Sequence, residues 1–476
     1  MYLCSIMFSK KCFKLQGISR SPFKNLALEP SNWRTFRCIE KRIDIPTGEL
    51  FQDIFPFGGG LDPDNRWMKM SGMVPWDERR EYASKLSRLG RPALDARLVL
   101  GLLILKHVTN FSDEELSRHF SENIYMQAFC GFDNFASHKA IDSSTLSVVR
   151  RRLGPDFFRH MESLTYKVLL ERGIIKGKGV LCDATVIPEK ISYPNDVGLL
   201  EKCRRKTVAF IKSAQSLVGM KYRTYCRTAR NLALSFQKRK KKTKKMVELA
   251  KKKALNFLSR NIKQAREIIQ KGIGDGVEIV FKELSTIEKI FLQQKEMYRN
   301  KCHRIVDRIV SISKPYVRPI KRGKTGKEVE FGPKGAFSYV GGFLFLDHLS
   351  HDNFSEAGNN IVRRQLENFE AMFGRKPDSF TGDNLYGTRE NRKFMDENNV
   401  RAAFKPLGRH GPARSPSEKR WQKKKHRERN RVEGAFGHAK EHLGLKPIRY
   451  KTKEGSEIWI RLGLLGMNLK TAVSRA

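Results

Sequence analysis

The chain contains no stretch of about 18 uninterrupted apolar residues, so no membrane span is expected. It has no CxxC pair. Its eight cysteines, at 4, 12, 38, 130, 182, 203, 226 and 302, are scattered, which argues against a zinc ribbon and reads as reduced thiols. Its start, MYLCSIMFSKKCFKLQG, lacks an apolar core segment and cleavage site, so no signal peptide is expected. Proline is missing from 196–312, which leaves that stretch free to be helical. Acid is scarce throughout: 50 Asp+Glu face 93 Lys+Arg, a net charge of +43.

An excess of that size is costly on a compact protein unless a polyanion offsets it. Nucleic acid is the favoured partner, because each phosphate contact releases counterions. An anionic membrane is the weaker candidate. Charge alone does not separate ribosome-bound, chromatin-like and enzymatic proteins. The 476 residues, 39% of them apolar, allow two to four domains with at least one sizeable core.

Residues 1–49 show no clear period and read as an extension. Residues 50–76 are rich in aromatics broken by Gly, Pro and Asp, an irregular packed lead-in in which Trp67 and Trp76 serve as core anchors. Helical patterns follow to about 160. ALDARLVLGLLILKHVT reads as a buried helix, Ser112 caps the next with Glu115 in its first turn, and Gly154 stops SSTLSVVRRRLG. The 50–160 region is thus expected to be an all-helical domain. GVLCDATVI then reads as a short buried strand.

Helical patterns return over 196–312. Within 202–260, twenty lysines and arginines stand against the single acid Glu248, including KRKKKTKK at 238–245 with Lys240, Lys241 and Lys242. Any one lysine reads equally well as a solvated charge. However, Leu249, Leu255, Phe257, Leu258, Ile262, Ile268 and Ile269 keep a packing face through the run, which a tail would not need. From 315 strands resume. PYVRPIKRGKTGKEVEFGPK reads as a hairpin, and FSYVGGFLFLDHLS as a strand pair or bent strand about Gly341-Gly342. After these come a helix over 357–373, a short strand in DSFTGDNLYG, the helix TRENRKFMDENN, the strand VRAAFKPLG and a long basic helix over 418–444. The fold class is α/β, a mixed sheet flanked by helices. The sheet domain is assigned to 174–195 and 313–476, with 196–312 as a basic helical insertion.

Three acids stand out. Asp183 lies inside an apolar strand and Asp383 at the end of another, where an unpaired carboxylate costs several kcal/mol. Each, alone, is more often a strand-end cap or an ion-pair member. Glu433 has informative neighbours: His426, Arg429, Glu433 and Lys440 fall on one helical face within about 40°. One carboxylate among three potential cations suits a site holding metal and phosphate together, although i,i+4 salt bridging on a solvated helix is the plainer reading. His348 and His351, near Asp347 and Asp352, more often cap turns than ligate metal and are not counted as ligands.

LCDATVIPEKISYPNDVGLLEKCR, GDNLYGTRENRKFM and RNRVEGAFGHAKEHLGL resemble the acidic contexts of bacterial insertion-sequence transposases of the DDE class. The last resembles the signature Tyr-x2-Arg-x3-Glu-x6-Lys, met here by Arg429, Glu433 and Lys440, with His426 where the tyrosine is expected. PFGGGLDPDNRWMKMSGMVPWD and the helices after it resemble the N-terminal domain of the same group. The resemblance spans roughly 48–476 and implies an RNase H-like catalytic core. It implies that Asp183, Asp383 and Glu433 hold two divalent ions, Mg²⁺ with Mn²⁺ as substitute, for in-line cleavage and strand transfer. Arg429, Lys440 and His426 would hold DNA phosphate. The partners implied are the double-stranded DNA of element ends and target, and a second copy of the chain, in the cytoplasm on the nucleoid. The 50–160 helices would bind terminal inverted repeats, and the insertion, with Lys240, Lys241 and Lys242, would clamp flanking DNA. Three other readings stay open: an inactive DNA-binding copy, a structural nucleic-acid-binding protein, and a nuclease of the same fold.

Overall fold

The computed structural model describes residues 40–41, 60–76, 82, 85, 91–136, 141–321, 329–407 and 415–476. The chain divides into Met1–Cys38 and Ile39–Ala476, and the described residues all belong to the second unit. The stretch MYLCSIMFSKKCFKLQG and, apart from Glu40 and Lys41, the expected extension over 1–49 lie outside them.

Among the described residues the first helices are α1 (Arg66–Ser71), α2 (Ala96–Thr109), α3 (Asp113–Glu122), α4 (Ile124–Phe129) and α5 (Ser143–Glu171). β1 (Glu40–Lys41) pairs in parallel with β2 (Arg91–Pro92), which lies between α1 and α2. Twelve of the fourteen α2 residues are buried, so α2 is a core helix on every side rather than an amphipathic one. Ser112 and Glu115 form a reciprocal capping box that starts α3. Gly154 leaves helical geometry at φ 72°, ψ 171°, and Pro155 restarts the chain, so α5 is two helices end to end.

The sheet has five strands in the order β7-β6-β3-β8-β9. Its centre is β3 (Gly179–Val186), antiparallel to β6 (Lys334–Val340) and parallel to β8 (Ser379–Thr381). β7 (Phe343–Ser350) runs antiparallel to β6, and β9 (Arg401–Ala402) parallel to β8. The β6–β7 hairpin turns on Gly341 and Gly342, at φ 56° and 100°. A separate hairpin pairs β4 (Pro319–Lys321) with β5 (Val329–Phe331). Helices α10 (Asn359–Phe373) and α11 (Arg389–Glu397) connect the later strands; α12 (Pro416–His442) and α13 (Lys453–Val473) close the chain.

The two sheet faces belong to different cores. Val180, Cys182, Ala336 and Phe345 join Val362, Leu366 and Phe369 of α10 and the apolar residues of α2 and α5. Phe337 and Leu344, on the other side, pack with Val432, Ala435, Phe436 and Ala439 of α12. α13 feeds both: Leu462 and Leu469 enter the first core, Trp459 and Leu464 the second. The first core runs without a gap from Trp67 to Ala472, and 160, the expected edge of a separate helical domain, falls inside α5. The two parts merge through α13, which packs along α5 and α2 on one side and on β7 on the other.

Between β3 and β6 stand α6 (Asp196–Ala214), α7 (Cys226–Lys238), α8 (Lys244–Gly274) and α9 (Leu284–Arg299). They build cores of their own, one around Leu200, Leu258 and Ile290 and another around Ile211 and Ile268. Asp196 draws them together, accepting from Lys251 at 2.7 Å, Gln294 at 3.2 Å and Arg308 at 2.7 Å.

Candidate functional site

The pleat of β3 decides what each of its residues meets, since alternate side chains leave by opposite faces. Cys182 goes into the core under α10. Leu181 packs on the α12 side, and Asp183 and Thr185 meet cations carried by α12. Arg429 Nη1 donates to Asp183 Oδ2 at 2.8 Å, and Lys440 Nζ donates to Thr185 Oγ1 at 2.7 Å. These residues, eleven apart on the helix, match two strand positions two apart. The apolar residues Val432, Ala435, Phe436 and Ala439 hold α12 at the distance these bonds need.

Asp183 is 13% exposed, and its Oδ1 accepts from the Ala184 N–H at 2.8 Å. Loss of hydration pushes its carboxyl up to about 6. The Ala184 N–H and the Arg429 guanidinium oppose that rise, while the negative charges of Glu356 and Asp383 add to it. Asp383 lies two residues beyond β8. The parallel register pairs Leu181 with Thr381, and continued two residues it sets Asp383 beside Asp183. The Asp383 carboxylate also caps the turn Asn384–Tyr386, taking the Asn384 N–H at 2.6 Å.

Glu433 is the most exposed of the three acids, at 57%, and approaches Asp183 through Arg429, whose Nη2 lies 3.5 Å from its Oε1. His426, a turn earlier, is half-buried. Burial lowers its imidazole, helped by Lys405 and Arg429 and opposed by Asp383. Its Nε2 has no hydrogen-bond partner among the described residues. Lys240, Lys241 and Lys242 are exposed in the connection between α7 and α8, at the tip of a helical hairpin, and Lys242 lies over the Phe236 ring. No hydrogen bond or ion pair among the described residues ties them to the acids.

Glu356 carries no sequence signal. It sits in the polar loop between β7 and α10, where an acid reads as a turn residue. Lys334 of β6, opposite Val186, brings it in: Lys334 Nζ lies 2.7 Å from Glu356 and donates to the Phe354 carbonyl at 2.9 Å. The result is a fourth carboxylate, 11% exposed, acting on Asp183. His348 instead meets Arg364, and His351 stacks edge-on to Tyr316. Among the described residues no three His, Cys, Asp or Glu side chains stand close enough to share one metal ion. The oxygen donor set does suit a hard divalent cation. Glu356 and Asp383 both lay negative charge on the desolvated Asp183, and Arg429 opposes it.

Asp183 on the central strand, Asp383 in register beside it and the basic helix bearing Arg429 and Glu433 thus make a carboxylate cluster with a guanidinium across it. Two family models match the chain. One, described as "Transposase domain (DUF772)", covers residues 57–152, the region of α1 to α4 and the start of α5. The other, described as "Transposase DDE domain", covers 380–470, which holds Asp383 and Glu433. The chain is 33% identical over 179 residues to "Uncharacterized protein ORF8 in nfe locus" of Rhizobium meliloti, across 37% of this chain and 84% of that protein. No solved structure matches. The chain belongs to the insertion-sequence DDE transposases. DNA is the partner that the family implies, and no described helix is long and apolar enough to cross a membrane.

Proposed function

We propose that this chain cleaves the DNA ends of an insertion-sequence element and joins them to target DNA, with Asp183, Asp383 and Glu433 as the catalytic acids of an RNase H-like core. The observation that carries the reading is Arg429, which reaches from α12 to the buried acid of the central strand while touching Glu433. The antiparallel pair on one side of β3 and the parallel pair on the other support the RNase H-like assignment.

Two divalent ions, Mg²⁺ or Mn²⁺, held by Asp183, Asp383 and Glu433 would supply an activated hydroxyl and a stabilised leaving oxygen. The chain's own residues prepare that chemistry. Arg429 offsets part of the burial that raises the Asp183 carboxyl, and its planar fork suits a phosphate as well as a carboxylate. Lys440 fixes the pitch of α12 on β3 through Thr185. His426, whose imidazole burial lowers, offers a hydrogen bond near Asp383 and Arg429 at the position where the signature has a tyrosine. The 57–152 helices would bind terminal inverted repeats, the insertion would clamp flanking DNA through Lys240, Lys241 and Lys242, and two copies would pair two ends on the nucleoid.

The test is incubation of the protein with labelled element-end DNA and Mg²⁺, beside Asp183→Asn and Glu433→Gln. Nicked and joined products are expected from wild type, with a loss of several orders of magnitude in each variant. Cleavage without joining would make the chain a nuclease. Variants that cut like wild type would remove the site assignment.

A further inference from the structure

The cations of α12 are not all spent on the site. With 3.6 residues per turn, Arg420, Lys423, Lys424, Arg427 and Arg431 point within about 60° of the direction opposite Arg429. All five are exposed, and none has an acidic partner among the described residues. Glu428, the acid at their edge, is neutralised by Lys425 at 3.1 Å. Like charges at i,i+3 and i,i+4 repel, and this face gives the fold nothing back: its packing and ion pairs lie on the other side, with Val432, Phe436, Arg429 and Lys440. A polyanion is what would compensate it.

The dimensions suit duplex DNA. From Arg420 to Arg431 the helix rises about 16 Å, the axial length of about five phosphates on one strand. Neighbouring cations are a helical turn or less apart. No large apolar residue is exposed on α12, so the face has nothing to insert into a membrane. The face is also turned away from Asp183 by the thickness of the helix. We propose that the outward face of α12 is a phosphate track for duplex DNA, holding a stretch other than the one whose phosphodiester meets the acids. The proposal rests on the transposase reading and adds a second DNA surface on the same helix.

The experiment measures binding of the full chain to linear duplexes of unrelated sequence, in EDTA so that nothing is cut, across a range of salt. Replacing Arg420, Lys423, Lys424, Arg427 and Arg431 by Gln should lower the slope of log affinity against log salt by about 4.5, at about 0.9 per lost contact, equally for every sequence. Replacing only Arg420, Arg427 and Arg431 by Lys should keep the slope. In the unaltered protein, bound duplex should shield Lys423 and Lys424 from acetylation, a readout that needs no variant to fold. An unchanged slope with unshielded lysines overturns the track alone. Absence of any duplex binding overturns both the track and the transposase reading. Shielding by phosphatidylserine vesicles but not by duplex overturns the track in favour of a membrane.

Discussion

Arg429 is the residue on which the site turns. It offsets a buried strand acid, touches a helix acid and carries a fork that phosphate can accept. Asp183 has a matching consequence for stability. Its folded carboxyl titrates at about 6, above an unfolded value near 4, so the folded state favours the neutral form. That contribution is fully present below pH 4 and is lost as pH rises through 6. In metal-free buffer, Asp183→Asn should therefore gain stability relative to wild type as pH rises from 4 to 7, by on the order of 2–3 kcal/mol, whatever constant offset the lost Arg429 bond adds. Thermal melts across that range check it; a flat difference would mean that Asp183 is not desolvated.

The β6–β7 hairpin shows how an element depends on local chemistry. Gly341 has φ 56°, and a Cβ there would lie 1.9 Å from the Lys176 carbonyl oxygen. Gly341→Ala must move backbone, not a flexible side chain. It should destabilise the protein by roughly 2–4 kcal/mol, with the urea midpoint falling at constant m. Gly-Gly was a legible turn signal, but its close approach to the Lys176 carbonyl ahead of β3 was not. The long helix α12 was likewise legible from its period, with Ser415 capping it and Gly444 following it in the left-handed region. Its two faces were half legible. The Arg429–Glu433–Lys440 stripe stood out by spacing, whereas which stripe turns inward depends on the sheet beneath.

A buried clasp fastens the root of the insertion to the end of the chain's described fold. Glu189, whose side chain is 0% exposed, pairs with Lys314, and Ser456 of α13 donates to the same carboxylate. Lys314 also donates to the Tyr450 carbonyl at 2.9 Å. The segments entering and leaving the 117-residue excursion numbered 196–312 are thereby fastened to each other and to the last helix. Lys314→Met should cost about 3–5 kcal/mol, because it strands a buried carboxylate, and adding Glu189→Gln should restore much of the loss. Chemical denaturation of the single and double variants tests this coupling; additive losses would show that the pair is not a unit.

The sequence determined the strands and helices with strong periods, the caps, the basic insertion and the helical face of Glu433, because these depend on neighbours within a few residues. It also carried the acidic contexts of Asp383 and Glu433, which lie in the stretch matched by the transposase DDE model. Only the tertiary structure decided that Arg429 meets Asp183, that the register of β8 sets Asp383 beside it, and that Lys334 draws in Glu356. It alone joined the N-terminal helices to the sheet in one core. Those outcomes depend on strand register and on which helix face is buried, and both are set by contacts between residues hundreds of positions apart.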